Sequence, residues 1–389
     1  MKICMILMTE FTHDARVTKE AITLTKAGHK VVFFALKSRE TLSHEKRHNF
    51  EIYRVTLFTR YFLPKGQLFY FIKYLEFILQ LVKEIWNKDF DVYHSHDLET
   101  LPIGFILSRI RKKPLIYDSH ELYIEMVKHH SIARKIWYFI EKRLASRTSV
   151  NIQTTESRAR EFSKRYNVPM PLVIMNTQHY QNPVKEDLFR KKYGIRDVEK
   201  IILYQGNVHP SRGVDVLVKA IDYLDDVVLI LMGAGDYKSV LTRKIDKQNK
   251  KILLLDPVPW EDLPSYTASA DIGVSLVQNI GLNNYYMLSN KFFEYLTAGL
   301  PVVFPDFPEW RKHIIENNIG FVVDETNPME AAKAIRKILS DHELYEEMSR
   351  NARRVVREKY NWEIEGGKLL KAYEEIEARA IKLRGLSSN

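Results

Sequence analysis

A single cysteine, Cys4, stands among 389 residues, so the chain forms no intrachain disulfide and has too few thiolates for a multi-thiolate metal site. That scarcity suits a reducing cytosol. No apolar run is long enough to cross a bilayer: the best candidate, 68–86, is interrupted by Lys73, Glu76, Lys83 and Glu84. The opening MKICMILM is shorter than the apolar region of a signal peptide, so no leader is expected there. No fixed-period repeat occurs, and no low-complexity tract apart from Ser387, Ser388 and Asn389. The turn from Met8 to Arg16 contains no glycine, so the close backbone approach that a dinucleotide fingerprint needs is missing and a dehydrogenase loses its main support. RRM, KH and helix-turn-helix signatures are also lacking, which makes nucleic acid a poor partner.

What is present is an ordinary globular composition, 45% hydrophobic and 28% charged, at a length that suggests two domains. Lys and Arg number 59 against 49 Asp and Glu, a formal charge of +10 that favours anionic partners. Short apolar runs alternate with amphipathic stretches at 3–7, 30–34, 91–94, 115–118, 148–154 and 172–175. After a polar stretch at 177–200, containing Pro183 and a charged run at 185–192, the pattern restarts at 201–205, 227–232, 252–255, 272–275, 302–304 and 320–323. This alternation predicts two parallel sheets covered by helices, with the hinge in the polar stretch. From 330 to 384 the pattern is helical throughout, with a kink expected at Gly366 and Gly367. Ligands of open parallel sheets lie beyond the carboxyl ends of the strands, so the turns there hold the candidate chemistry.

Two such turns in the first half carry His94-Ser-His96-Asp97 and Asp118-Ser-His120-Glu121. His94 and His96, at strand spacing, point to one side, but no longer metal-ligand motif accompanies them. His120, between acidic neighbours at a strand end, reads as functional. In the second half, 204–213 places Gly206, Asn207 and Arg212 before a helix, where Arg212 is either an anion ligand or a solvated loop cation. At 289–303, Ser289 or Asn290 is a natural N-cap, and Lys291 and Glu294 share one side of the helix. They form either a surface ion pair or a phosphate cation beside an acceptor for vicinal hydroxyls. A Gly-x-Gly at Gly233 and Gly235 is a weak signal alone, since Lys238 stands where a third glycine would be.

In order and spacing, Asp14-Ala-Arg-Val-Thr-Lys-Glu20 with Ala27-Gly-His29, His96-Asp97, Tyr117-Asp-Ser-His-Glu121, Gly206 with Arg212-Gly213, Gly233-Ala-Gly235, and Asn290-Lys-Phe-Phe-Glu-Tyr295 with Ala298-Gly-Leu-Pro-Val302 recur as a set. With them the sequence resembles a retaining glycosyltransferase of family 4 over nearly its whole length. The resemblance implies an α/β GT-B fold, two Rossmann-like domains facing across a central cleft. An acceptor-binding domain at 1–180 would be completed by a returning C-terminal helix at 368–389, and a donor-binding domain would span 181–367. The nucleotide-sugar is then a co-substrate, with no cofactor and no metal expected. Gly206, Asn207, Arg212, Gly233, Val258, Ser289, Asn290, Lys291 and Glu294 are the implied donor-binding residues, and the base would meet backbone atoms of 256–260. The implied catalytic residues are Arg212 and Lys291, on the leaving diphosphate, and His120, beside the transferred sugar. Asp14, Arg16, His96, Asp97, Glu121 and Tyr286 would contact acceptor or sugar. Glu294 matches the second glutamate of the family's E-x7-E motif, whereas Tyr286 replaces the first. Asn207 replaces the usual arginine after Gly206.

The implied activity is sugar transfer from a UDP- or GDP-sugar to a glycan or lipid-linked acceptor in cell-surface polysaccharide or glycoconjugate synthesis. Its rivals are a sugar-nucleotide epimerase of the same architecture and a non-catalytic binding module. The helical stretch 68–86 has one broad apolar face, Leu68, Phe71, Ile72, Leu75, Ile78, Leu79, Val82, Ile85 and Trp86, enough to pack on a sheet. A second stripe at Tyr70, Tyr74, Phe77 and Leu81 would cover a neighbouring helix or meet a membrane surface or apolar acceptor. With the basic and aromatic segment 134–143, this predicts a cytoplasmic protein able to attach peripherally to anionic lipid.

Overall fold

The computed structural model describes residues 1–12, 14–64, 66–127, 131–182, 184–245 and 251–386. Pro183 of the expected hinge and the end at Ser387 to Asn389 lie outside the described residues. The chain divides into two compact units, Met1–Ile174 with the segment from Glu365 onward, and Met175–Ile364.

The first unit is built on β1 (Lys2–Ile6), β2 (Lys30–Leu36), β3 (His44–Arg47), β4 (Phe50–Val55), β5 (Val92–His96), β6 (Leu115–Ser119), β7 (Val150–Gln153) and β8 (Leu172–Val173). Their order is β3-β4-β2-β1-β5-β6-β7-β8, parallel except for β3 against β4. β2 is buried beyond its first residue, as expected of a parallel strand covered on both faces. The order reverses between β1 and β5, which makes the turns after those strands the natural ligand position.

The β3–β4 hairpin goes beyond the strands expected from the sequence. Its charged first strand, His-Glu-Lys-Arg, hides the alternation, and its two-residue turn uses His48 and Asn49 at φ 43° and 68°, the left-handed pair that a tight hairpin requires. In the helix Gln67–Ile85 the second stripe covers a neighbouring helix, as expected: Tyr74, Phe77 and Leu81 are buried in the core, the Tyr74 ring meets Trp137 of the helix Ile132–Ala145 edge-on at 5.3 Å, and its hydroxyl donates to the Glu99 carbonyl at 2.8 Å. The broad face is divided: Ile85 is buried and Ile78 and Val82 pack against the core, whereas Phe71, Ile72, Leu75, Leu79 and Trp86 are exposed.

The second unit holds β9 (Lys200–Gln205), β10 (Val227–Met232), β11 (Ile252–Leu255), β12 (Ile272–Val274), β13 (Val302–Pro305) and β14 (Gly320–Val323). All pairs are parallel, in the order β11-β10-β9-β12-β13-β14, so the reversal falls between β9 and β12. The helical tail comprises Pro328–Ser340, His342–Glu358 and Trp362–Leu386. Its last helix continues unbroken through Gly366 and Gly367, contrary to the expected kink. Two helical glycines cost about 1 kcal/mol each, less than the packing of the neighbouring turns supplies. Leu369, Tyr373 and Ile376 are buried in the first unit, where the Tyr373 hydroxyl lies 2.8 Å from His94 Nδ1.

Candidate active site

In the second unit, β9 ends at Gln205 and the chain turns at Gly206, which has φ +116°. The turns after β9 and β10 run side by side, with Gly206 N–H donating to Met232 O at 2.9 Å and Val208 N–H to Ala234 O at 2.8 Å. They meet so closely that a Cβ on Gly233 would fall 1.8 Å from the Gly206 carbonyl oxygen. Beside this double turn, a Cβ on Gly206 would sit 3.2 Å from Lys291 Nζ, and the same ammonium lies 4.1 Å from the centre of the Tyr204 ring. Lys291 belongs to the first turn of the helix Asn290–Thr297.

Burial first, then the like charge of Arg212, lower the Lys291 pKa to about 7 against the pull of Glu294. A lysine held at this pKa has too little counter-charge around it, and an arriving anion would supply it. Arg212 ends the 3-10 turn Pro210–Arg212, and its Nη1 lies 3.8 Å from Met287 Sδ. Glu294 accepts from Gln205 Nε2 at 2.5 Å, while Gln205 Oε1 accepts from Thr267 at 2.9 Å, so a strand-end amide fixes the carboxylate. Ser289 is the N-cap residue by backbone, but its hydroxyl does not make the cap hydrogen bond expected of it. Asn290 Oδ1 accepts from Asn176 at 2.9 Å. Val258, half-buried, follows β11, and Tyr286 follows the short helix Leu282–Tyr285.

Gly213 joins the turn to the helix Val214–Ile221 at φ +70°, and a Cβ there would come within 1.8 Å of the Leu276 carbonyl oxygen. Gly213→Ala is therefore expected to destabilise this unit by about 2–5 kcal/mol, the sum of a left-handed backbone penalty and overpacking. Denaturant unfolding with an unshifted midpoint would contradict that.

In the first unit, parallel pairing sets His96 opposite Asp118, so the ends of β5 and β6 deliver their turns side by side. Asp118 is the hub. Its carboxylate accepts from Arg16 Nη2 at 3.0 and 3.1 Å, and it lies 3.3 Å from His120 Nε2 and 3.7 Å from His96 Nδ1. Arg16 also reaches Glu20 at 3.1 Å and the Ile174 carbonyl at 2.8 Å, so its guanidinium is turned inward. Asp14 caps the helix Ala15–Lys26 by accepting from Val17 N–H at 3.1 Å. Asp97, at φ +62°, accepts the His120 backbone N–H at 3.0 Å and faces His120 Nδ1 at 3.4 Å. Glu121 pairs with Arg158, which also donates to the His120 carbonyl at 2.7 Å.

Burial alone would discharge His120, yet Asp97 and Asp118 outweigh it and raise its pKa to about 10, so it is an imidazolium at neutral pH. Burial likewise opposes ionisation of Asp118, but Arg16 and then His120 hold its pKa well below the carboxylate range. Glu20 is pushed well above it, by burial and then by Asp118, against the pull of Arg16. His94 and His96 are lowered by burial and stay neutral. The ligating atoms of Glu20, His94, His96 and Asp118 lie within 4.8 Å of one another, all buried. Arg16 and His120 already face the Asp118 oxygens with positive charge, so these four residues fit an ion-pair network better than a cation cage.

Residues 16–176 match the family described as glycosyltransferase family 4, and residues 185–355 match glycosyl transferases group 1. The chain belongs to glycosyltransferase family 4. An uncharacterised glycosyltransferase of Methanocaldococcus jannaschii is 25% identical over 291 residues, covering 70% of this chain and 72% of that protein. Among solved structures, sucrose-phosphate synthase from Thermosynechococcus elongatus superposes with a TM-score of 0.80 at 17% identity, covering 97% of this chain and 99% of the other. Anabaena HepE in complex with UDP-glucose gives 0.74 at 18% identity, over 96% and 100%. The two sheets are those of the GT-B fold that this family adopts.

Within this family 4 chain, Gly206, Gly233, Arg212, Lys291 and Glu294 gather in the second unit. His96, Asp97, His120, Arg16 and Glu121 gather in the first. Two central residues, Asp118 and Gln205, lie in the candidate turns but have no site role of their own in the sequence reading. Each is the polar residue ending an apolar strand, a signal visible in the sequence, but their partners become clear only once β5 lies beside β6 and β9 beside the helix Asn290–Thr297.

Proposed function

We propose that the protein is a retaining glycosyltransferase that moves a hexose from a UDP- or GDP-sugar to a glycan or lipid-linked acceptor in cell-surface glycoconjugate synthesis. The observation that carries this reading is the under-compensated Lys291 ammonium, set beside Gly206 and close enough to Arg212 to feel its charge. Cleaving the anomeric bond leaves negative charge on the diphosphate. Preorganised cations lower the barrier where that charge develops, and the N–H groups opening the helix Asn290–Thr297 add to them. Glu294, fixed by Gln205, is suited to accept from ribose hydroxyls. A metal is not required for charge balance in this scheme. His120, already protonated, orients the sugar as a cationic donor beside Asp97 and Asp118, and it is not the base that receives the acceptor's proton. The UDP-glucose bound by HepE supports the donor class, and an assay with donor alone separates transfer from epimerisation, which needs no acceptor.

The Lys291 pKa gives this reading a pH signature. The ammonium that attracts the diphosphate is present below about 7 and disappears above it, so affinity for UDP-glucose or GDP-mannose should fall as pH rises from 6 to 8.5. The expected slope approaches tenfold per pH unit above 7. Lys291→Arg, always charged, should flatten the profile. Calorimetric titration across that range checks this, and a flat wild-type profile would contradict it.

Peripheral attachment to anionic lipid belongs to the same proposal. Among the described residues no helix is long and apolar enough to cross a membrane. Phe62 is 82% exposed, Leu79 70%, Ile132 77% and Phe139 67%, with Lys83, Lys135, Lys142 and Arg143 also exposed. Such mixed surfaces bind acidic bilayers through apolar contact and charge. Sedimentation with phosphatidylglycerol vesicles at low salt should retain the protein, and added salt should release it. Equal recovery with neutral vesicles would contradict the electrostatic part.

A further inference from the structure

The helix His342–Glu358 carries Arg350, Arg353, Arg354 and Arg357 at i, i+3, i+4 and i+7, hence on one face. All four are exposed, and they line an open cleft of about 280 Å³ on the second unit, whose wall also includes the exposed Tyr180 and Asn182. Counter-charge is scarce. Glu358 lies 3.8 Å from Arg354 and 3.1 Å from Arg357, but among the described residues no carboxylate is within ion-pair distance of Arg350 or Arg353. Like charges at this spacing destabilise a helix, and its dipole favours cations only in the last turn, which begins after Arg354.

One member, Arg353, is also held in place. Arg353 Nη2 donates to Ser349 Oγ at 3.0 Å, and that buried hydroxyl donates to the Gly299 carbonyl at 2.7 Å. A Cβ on Gly299 would fall 2.5 Å from Arg353 Nε, so the glycine leaves room for the guanidinium. Tyr180 is fixed opposite, its hydroxyl donating to Asn182 Oδ1 at 2.7 Å and its backbone N–H to Glu363 at 3.1 Å. Planar guanidinium forks match phosphate oxygens two at a time. The cavity is distinct from the donor cradle. It includes Thr297, the last residue of the eight-residue helix whose first turn holds Lys291, so the two positions are separated by about 9 Å along that helix.

We propose that this cavity binds a phosphomonoester dianion, supplied either by a free phosphorylated metabolite or by a lipid headgroup. The proposal is independent of the glycosyltransferase reading. Its test is calorimetry with sn-glycerol 3-phosphate on the full chain, in the Arg212→Ala/Lys291→Ala background so that the donor cradle contributes nothing. Saturable binding is expected, weakened at least about tenfold by Arg350→Gln/Arg353→Gln, since each charge-assisted hydrogen bond is of that order. Because Arg353 also supports its helix, Arg350→Gln/Arg357→Gln, which leaves Arg353 in place, should weaken binding as well. Phosphatidic acid vesicles form the second arm. Arginine-dependent binding to them, without binding of glycerol phosphate, assigns the lipid source. Binding that neither double variant weakens, or no binding to either probe, would overturn the proposal.

Discussion

Arg212→Ala and Lys291→Ala are each expected to lower turnover with a nucleotide-sugar donor by on the order of 10²-fold or more, the scale of losing one preorganised electrostatic group. The loss should appear in kcat and be larger still in kcat/KM, because these cations meet charge the bound diphosphate already carries as well as the further charge that develops on it in the transition state. Lys291 should be the more informative of the two. In the free protein its charge is already weakened by burial and by Arg212, so the gain on meeting a diphosphate is large. The double variant should lose less than the product of the single losses, since both cations act on one anion. Steady-state kinetics with the single and double variants settles this, and near-normal turnover in both single variants would remove the clamp.

The second large effect concerns the hub of the other unit. Asp118→Asn leaves Arg16 and His120 without the carboxylate that compensates them in a buried setting, and should cost about 3–5 kcal/mol. Glu20→Gln should cost less than about 1.5 kcal/mol, because burial and Asp118 already oppose ionisation of that carboxyl and the change is nearly isosteric. Equilibrium denaturation distinguishes the two, and equal losses would contradict the assignment of the charge to Asp118. The network also has a pH signature. The His120 pKa is raised to about 10 from an ordinary 6.5, so its stabilising contribution is whole below 6.5 and is lost as pH rises through about 10. Asp118, lowered from 3.8, contributes above that value and loses its contribution as pH falls below it. Asp118→Asn should flatten the alkaline limb.

Much of this was legible in the sequence for physical reasons. Covered parallel strands must be apolar along their length, so Lys30–Leu36 and Val227–Met232 announce themselves. Strand ends carry the chemistry, so His96, His120 and Gly206 could be named before any coordinates. The β3–β4 hairpin was hidden because its edge strand is charged, and periodicity did not show that, among the described residues, only Ile78, Val82 and Ile85 of the broad face of Gln67–Ile85 would meet the core. The roles of Asp118 and Gln205 depend on what lies beside them in the sheet, a fact of register that no local pattern contains. The arginine face of His342–Glu358 has a visible spacing, but only the fold shows that it lines a cavity with Tyr180.

The most direct measurement is a crystal structure of the protein with a bound uridine or guanosine diphosphate. The diphosphate oxygens should lie within hydrogen-bond reach of Arg212, Lys291 and the first N–H groups of the helix Asn290–Thr297, with the ribose at Glu294. A nucleotide lodged elsewhere, with Arg212 and Lys291 turned to water, would contradict the account.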